Sequence, residues 1–336
     1  MSEVLVQVTR GDFTESKHRG FIAVTDGEGK LIASAGDPDE ITFMRSAAKP
    51  LQALAVLFSG AAEKYGFSEK ELALMCASHY GEEMHREVLA EILRKTGLGV
   101  SDLNCGAPRS ISARYRERQL WDRLPIDASN SSCSGKHGGF LSVCRAKGYS
   151  TEDYIELSHP IQQEVLDILA YICSVKREDL QIGVDGCGVP VHGMKLRNMA
   201  LSYARLANPS GLREPYPAAC AKIVSAMNAY PEMVAGTGGF CTELMKHTKG
   251  KFCAKLGAEA VYCIGVVGKD IGIAVKIEDG SNRALYPAVM SVLMQMELLG
   301  EEEILALQRF IEPDNKNSHD KVIGKVSPCF RLRFAE

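Results

Sequence analysis

Alternation of apolar and polar residues predicts strands near both ends of the chain. Two β-rich runs flank residues 26–29 (DGEG), a sequence typical of a hairpin turn. After Lys251, two further runs flank residues 267–270 (VGKD) in the same way. A last run over residues 321–334 predicts one more strand, in which Pro328 indicates an edge position or a break.

Between these strands, apolar residues recur at helical spacing. The predicted helical segments are residues 50–66, 68–78, 83–97, 159–175, 191–207 and 287–299. Ser68 and Glu71 form a capping-box pattern at the start of one of them. We therefore expect an α+β fold, with an antiparallel sheet formed from N- and C-terminal segments and a large helical region inserted. The sheet subdomain covers about residues 1–45 and 250–336, the helical subdomain about 46–249, and together they form a single unit.

Composition narrows the class of protein. The chain has 336 residues, a net charge of -3 and no long basic block, so a nucleic-acid partner is not expected. The start of the sequence lacks a basic region followed by an apolar stretch, and no apolar run could span a bilayer. The 11 cysteines are scattered, so we expect reduced thiols and a cytoplasmic protein with no membrane association.

Ser46 and Lys49 stand three residues apart, immediately before Pro50. Proline is accepted in the first turn of a helix, so a helix begins close to Pro50 and Ser46 lies at or just before its start. Free N–H groups there favour a developing oxyanion, and a neutral lysine one turn away can accept the serine proton. The alternative is an N-cap serine beside a surface lysine. Ser318 and Lys321 have the same spacing, which shows that the spacing also arises by chance.

Two later residues extend this pattern. Ser78 lies where an apolar helix runs into a glycine-bearing loop, and Lys255 opens a K-x-G sequence at the start of a predicted strand. The order S-x-x-K, second serine, K-x-G is similar to that of serine hydrolases of the β-lactamase type. Leu256 replaces the threonine of their K-T-G motif, and their S-D-N element is missing.

Glycine-rich segments contain a second group of candidate residues. Residues 129–139 include Cys133, Lys136 and His137, and residues 183–193 include Asp185 and Cys187. Two thiolates with a further ligand suit Zn²⁺, although no C-x-x-C or H-E-x-x-H pattern is present. Buried cysteines in irregular turns are the alternative. A third glycine loop, within residues 236–245, leads into a predicted helix that could receive a substrate carboxylate.

Seven segments, in this order, resemble the rhizobial-type, or class 3, L-asparaginases. They are RSAAKPLQ, CASHYGE, NCGAPRS, SNSSCSGKHGGFL, GVDGCGVP, GTGGFCTELM and KLGAEAVYCIG. The resemblance covers about residues 18–275 and implies a fold similar to serine β-lactamases and glutaminases. It also implies an amidohydrolase that converts L-asparagine to L-aspartate and ammonia through an acyl-enzyme, and a homodimer.

The resemblance implies a role for each candidate residue. Ser46 with Lys49 and Ser78 with Lys255 would form two catalytic Ser-Lys pairs in one pocket, with either serine as the nucleophile. Zn²⁺ would be held near that pocket and would orient the substrate or support the pocket rather than activate water. The expected zinc ligands are Cys133, Lys136 and Cys187. The expected substrate-binding residues are His137, Asp185 and Cys241.

Two alternatives to an asparaginase stay open. A glutaminase or β-lactam hydrolase of the same fold would use the same Ser-Lys chemistry on another amide. A non-catalytic protein that binds zinc or an amino acid would keep the pocket without releasing ammonia.

Overall fold

The computed structural model describes residues 1–335. The strands are β1 (Glu3–Arg10), β2 (Phe13–Thr25), β3 (Leu31–Ala35), β4 (Ile41–Phe43), β5 (Gln181–Val184), β6 (Pro190–Lys195), β7 (Phe252–Gly257), β8 (Val261–Val266), β9 (Ile271–Ile277), β10 (Asp314–Lys316), β11 (Val322–Pro328) and β12 (Arg333–Phe334).

The α-helices are α1 (Lys49–Phe58), α2 (Ala61–Lys64), α3 (Glu69–Met75), α4 (Glu83–Thr96), α5 (Ala113–Trp121), α6 (Ser134–Lys147), α7 (Pro160–Ile172), α8 (Leu196–Ala207), α9 (Tyr216–Ala229), α10 (Pro231–Val234), α11 (Phe240–His247), α12 (Asn282–Gln295) and α13 (Glu301–Ala306). Single 3-10 turns occupy Arg45–Ala48, Val100–Asp102, Ala128–Asn130, Arg177–Asp179, Pro209–Gly211 and Gln308–Phe310.

The chain divides into two compact units. The sheet unit comprises residues 1–47, 194–208 and 243–336, and the helical unit comprises residues 48–193 and 209–242. The sequence analysis drew the inner limits at about residues 46 and 249; the structure also assigns α8 to the sheet unit.

An antiparallel sheet forms the sheet unit, in the order β10-β11-β1-β2-β9-β8-β7, with β3 on β2 and β12 on β3. Segments from both ends of the chain meet at its centre, where Ile22 of β2 pairs with Val275 of β9. On the other side, Val6 of β1 pairs with Pro328 of β11. The predicted α+β fold with an antiparallel sheet from both terminal segments is confirmed.

Two strand glycines let α8 pack closely on this sheet. A Cβ atom at Gly272 of β9 would lie 1.9 Å from the Ala200 carbonyl oxygen of α8. At Gly265 of β8 it would lie 2.2 Å from the Tyr203 carbonyl oxygen. Both contacts are to backbone atoms, which cannot rotate away, so helix and strands approach closely only because these positions lack a side chain.

The helical unit is built around α6, in which every residue from Ser134 to Cys144 is buried. Helices α1, α3 and α4 pack against it. Gly135 permits the closest approach, because a Cβ atom there would lie 2.1 Å from the Leu74 carbonyl oxygen of α3. The central position of α6 places the polar residues of its first turns inside the unit.

Local predictions are largely confirmed. Hairpins form at residues 26–29 and 267–270, the Ser68–Glu71 capping box is present, and β11 ends at Pro328. The prediction of a helix from residue 191 is wrong for its first five residues. Val191–Lys195 belong to β6, which pairs with β5, and the helix begins only after the extended residue Lys195.

No helix within residues 1–335 combines the length and apolar character needed to cross a membrane.

The fit between α8 and the sheet predicts the effect of enlarging Gly272. Gly272→Ala places a methyl group against the backbone of α8, and we expect the free energy of unfolding to fall by about 3 kcal/mol. Urea denaturation measures the change. Gly211→Ala is the control, because its Cβ meets nothing within 4 Å. Equal stability of the two variants would contradict this account of the packing.

Candidate active site

The amine of Lys49 contacts three oxygen atoms inside the helical unit. Lys49 is the first residue of α1 and only 1% exposed. Its Nζ lies 2.5 Å from the Ala77 carbonyl oxygen, 3.0 Å from the Ser132 carbonyl oxygen and 3.1 Å from Ser78 Oγ. The amine therefore joins the start of α1 to two loops that are distant from each other in sequence.

The number of these contacts bears on proton transfer. A lysine ammonium has three N–H donors, which matches the three oxygens. In the neutral amine, two N–H groups satisfy the two carbonyls, and the remaining lone pair is left for the hydroxyl of Ser78. The same geometry therefore suits both protonation states, as a base that exchanges a proton with Ser78 requires.

Ser78 lies in a short loop after α3 and is 7% exposed. Its backbone N–H donates to the Val234 carbonyl oxygen at 2.9 Å. The loop turns at Gly81, whose φ of 72° is in the left-handed region. Backbone bonds thus hold the segment on which the Ser78 hydroxyl is placed.

Ser46 lies in the sheet unit, on the 3-10 turn that leads into α1, as predicted from Pro50. Tyr203 of α8 donates a hydrogen bond from its hydroxyl to the Ala47 carbonyl oxygen at 2.7 Å. Arg45 has a φ of 50°, which a side-chain-bearing residue adopts at an energetic cost of about 1–3 kcal/mol. Backbone strain beside a half-buried serine is typical of functional turns.

Lys255 lies on β7 in the same unit and is fully buried. Its Nζ donates to the Leu256 carbonyl oxygen at 2.7 Å. At the end of β7, a Cβ atom on Gly257 would lie 2.7 Å from the Met44 carbonyl oxygen, so the strand contacts the turn that carries Ser46.

The structure thus joins Lys49 to Ser78, a combination that the sequence analysis did not single out. The pairings of Ser46 with Lys49 and of Ser78 with Lys255 combine residues from both units and stay predictions.

The candidate metal ligands come together in the helical unit. Cys133 precedes α6, Lys136 lies in its first turn, and Cys187 lies in the turn between β5 and β6; all three are buried. Lys136 Nζ donates to Cys187 Sγ at 3.0 Å. A hydrogen bond from Cys187, with the nearby amines of Lys49 and Lys136, holds the pKa of Cys133 well below its usual range, although burial opposes this.

The pKa of Cys187 is raised, first by its hydrogen bond to Cys133 and then by burial. Burial lowers the pKa of Lys136, but the two sulfur atoms outweigh it and raise the pKa overall. The Lys136 amine thus lies against Cys187 Sγ, and each of the two sulfur atoms shifts the pKa of the other. The contact between amine and sulfur gives the buried Lys136 a hydrogen-bond partner.

Cys133, Lys136 and Cys187 provide three donor atoms for zinc only if the lysine amine is one of the ligands. Among residues 1–335, no group of three or more His, Cys, Asp or Glu side chains is placed as a metal site. Two sulfur atoms and one amine nitrogen do converge, and such donors bind Zn²⁺ once their protons are released. The three residues therefore fit the metal chemically.

The turn that carries Cys187 also positions Asp185. The Asp185 N–H donates to the Val189 carbonyl oxygen and the Gly188 N–H to the Asp185 carbonyl oxygen, both at 2.9 Å. Gly188 permits this turn because its φ is 91°. The Asp185 side chain is half-buried. Cys241 is buried on α11.

His137 presents a buried nitrogen without a partner. Tyr154 Oη accepts a hydrogen bond from the Asn104 N–H at 2.8 Å and lies 2.7 Å from His137 Nδ1. Burial, with the charges of Lys136 and Lys49, lowers the pKa of His137 well below its usual value. The ring is therefore neutral, and its Nε2 has no partner among the described residues.

The sequence analysis assigned no role to two histidines that the structure shows to be buried. His79 adjoins Ser78 and is fully buried. His192 on β6 is 2% exposed, and neither of its ring nitrogens has a partner within residues 1–335. Burial and the charge of Lys136 lower the pKa of His192 to about 4. Single histidines carry no spacing pattern, so only the three-dimensional structure singles them out.

A family model described as L-asparaginase II matches residues 6–328 of the chain. No curated protein matches this chain.

Solved structures are similar at low identity. Mglu in its tris and glutamate form is 16% identical with a TM-score of 0.40, and the match covers 83% of this chain and 59% of that chain. Mglu in its native form is 16% identical with a TM-score of 0.39, covering 85% and 66%. A β-lactamase from Mycobacterium bovis is 14% identical with a TM-score of 0.45, covering 83% and 95%. The chain thus spans less than two thirds of either Mglu structure.

The buried imidazole of His192 predicts a loss of stability in acid. Its pKa is about 4 in the folded protein against 6.5 for an ordinary histidine, so the unfolded chain takes up the proton first as pH falls. Between pH 7 and pH 4.5 the wild type should lose about 2 kcal/mol more stability than His192→Gln. Urea denaturation at both pH values measures this, with exposed His319→Gln as the control. Equal losses for wild type and His192→Gln would contradict the prediction.

Proposed function

The chain belongs to the L-asparaginase II family, and from that premise we propose that it hydrolyses the side-chain amide of L-asparagine through a Ser-Lys acyl-enzyme. Family membership supports an amidohydrolase with a small-molecule amide substrate. The choice of asparagine and the mechanism are our proposal. The observation that carries the mechanism is the buried Lys49 amine, 3.1 Å from the Ser78 hydroxyl.

The first chemical step transfers a serine proton to a neutral lysine while the serine oxygen attacks the amide carbon. Backbone N–H groups near the start of α1 would stabilise the oxyanion. The proton then passes to the leaving nitrogen, which departs as ammonia. Water attacks the resulting ester with the same lysine as base, and L-aspartate is released as the serine regains its proton.

Two assignments of the serines follow from this scheme. In one, Ser46 is the nucleophile, and Ser78 relays protons between Lys49, Lys255 and the leaving group. In the other, Ser78 attacks directly, with Lys49 as its base, as their hydrogen bond favours. Both assignments require the contact between Lys49 and Ser78.

The substrate would be held by groups whose charge and exposure suit an amino acid. Asp185, half-buried in its turn, suits the α-ammonium group. His137 Nε2 is a buried ring nitrogen without a partner among the described residues, which suits a polar group of the substrate. Cys241 would line the same pocket.

We also propose, on the resemblance alone, that the protein is a homodimer, which light scattering would test.

We propose Zn²⁺ as a ligand of Cys133, Lys136 and Cys187. Bound zinc would supply a fixed positive charge that orients the substrate or supports the pocket. Lys136 and both cysteines bind the metal only in their deprotonated forms.

The Ser-Lys proposal predicts that both serines are needed. Ser46→Ala and Ser78→Ala should each reduce kcat for asparagine by at least about 100-fold, because each removes a hydroxyl used in proton transfer or attack. Coupled measurement of ammonia release reports the rate. Ser318→Ala, in the second S-x-x-K match, is the control and should keep full activity.

Trapping the acyl adduct and locating it by mass spectrometry identifies the nucleophile, Ser46 or Ser78. Full activity of both alanine variants would reject the mechanism. Ammonia release from glutamine, together with hydrolysis of a chromogenic β-lactam, tests the other amide substrates. Binding of asparagine without any ammonia release would instead favour the non-catalytic alternative.

The zinc proposal predicts that adding Zn²⁺ to metal-free protein in weak buffer releases protons, because Lys136 and the two cysteines bind the metal only in their deprotonated forms. Cys187→Ser should abolish zinc retention after dialysis, as measured by mass spectrometry of the metal. Cys329→Ser changes the one cysteine that is exposed and should retain zinc as the wild type does. Binding of zinc by Cys187→Ser at wild-type affinity would exclude this site.

A further inference from the structure

Three neighbouring residues contact the His79 ring and fix its orientation. The Gly81 N–H donates to His79 Nδ1 at 3.0 Å. His79 Nε2 lies 2.8 Å from Ser134 Oγ. The His85 ring stacks on it with 5.0 Å between the ring centroids. His79 itself is fully buried.

These contacts define the proton positions on the ring. Because Nδ1 accepts from Gly81, the neutral imidazole carries its proton on Nε2 and donates it to Ser134. Burial, with the charges of His85 and Lys49, lowers the pKa of His79 well below its usual value and keeps the ring neutral. Both nitrogens are engaged, so His79 has no lone pair free to act as a base.

The His79–Ser134 bond connects the same two segments of the chain as the contacts of Lys49. Lys49 Nζ joins Ala77 and Ser78 on one segment to Ser132 on another. His79 and Ser134 join the same two segments one or two residues further along. Ser134 Oγ is 3.3 Å from the Ser129 carbonyl oxygen, to which it donates, and this anchors it to the segment before α6.

We propose that His79 is a positioning residue, which ties the Ser78 loop to the start of α6 through Ser134 and thereby holds the Ser78 hydroxyl against Lys49. This inference rests on the proposed function. Its structural content is separate from the identity of the substrate, because it concerns the distance between two side chains of this protein. Loss of the His79–Ser134 bond should let the two segments move apart.

Two substitutions at position 79 separate the two bonds of the ring. In His79→Asn, the side-chain oxygen can replace Nδ1 as acceptor for Gly81, but nothing reaches Ser134. In His79→Gln, the longer amide can replace Nε2 as donor to Ser134, but the acceptor for Gly81 is lost. Ser134→Ala removes the same bond as His79→Asn from the other side.

We expect His79→Asn and Ser134→Ala each to lower kcat for asparagine about tenfold, with KM changed less than about twofold. His79→Gln should keep kcat within about threefold of the wild type. The double variant His79→Asn with Ser134→Ala should be no slower than Ser134→Ala alone, because that variant already lacks the His79–Ser134 bond, together with the bond from Ser134 to Ser129. Multiplying losses, or equal losses for Asn and Gln, would overturn the inference.

Thermal denaturation of each variant separates positioning from folding. If the melting temperature falls while kcat per folded molecule stays at the wild-type value, His79 is only structural and the inference is wrong. A crystal structure of His79→Asn gives a readout independent of activity. The distance from Lys49 Nζ to Ser78 Oγ should exceed its wild-type 3.1 Å, whereas in His79→Gln it should not.

Failure of the proposed function is recognised separately. A wild-type protein that releases no ammonia from asparagine ends the proposed function, and the crystallographic distance then decides the positioning role. An unchanged distance in His79→Asn overturns the inference even if the protein is an active asparaginase.

Discussion

The helical unit depends on how one buried amine is accommodated. Lys49 is almost completely shielded from water, and an amine in that environment is tolerated only if its hydrogen bonds are made. Three oxygens from two loops meet this need, so α1, the segment after α3 and the segment before α6 must converge at one point. The hydrogen bonds of one side chain therefore contribute to the position of Ser78.

The same convergence explains why so many polar groups lie close together in an otherwise apolar unit. Because α6 is central, residues in its first turns enter the interior, and each must find a partner there. Lys136 is hydrogen-bonded to Cys187, His137 to Tyr154, and Ser134 to His79. The atoms left without partners among the described residues, such as His137 Nε2, are those that a bound molecule could satisfy.

Much of the fold could be predicted because the strands and hairpins depend on local patterns. The helical limit at residue 191 was wrong because Val191 and Met194 continue the helical spacing of apolar residues, and pairing with β5 makes this segment a strand. The pairing of Lys49 with Ser78 was beyond local patterns, since it joins residues 29 positions apart. His79 and His192 were missed for a related reason: their importance lies in burial and partners, which single residues do not reveal.

The pairing of β1 with β11 has a consequence for synthesis of the protein. All residues of the helical unit, which end at position 242, leave the ribosome before β11 is made. Until then, the edge of β1 that will receive β11 offers unpaired backbone groups to any neighbouring chain. A nascent molecule therefore carries an open sheet edge until the last part of the chain has been made.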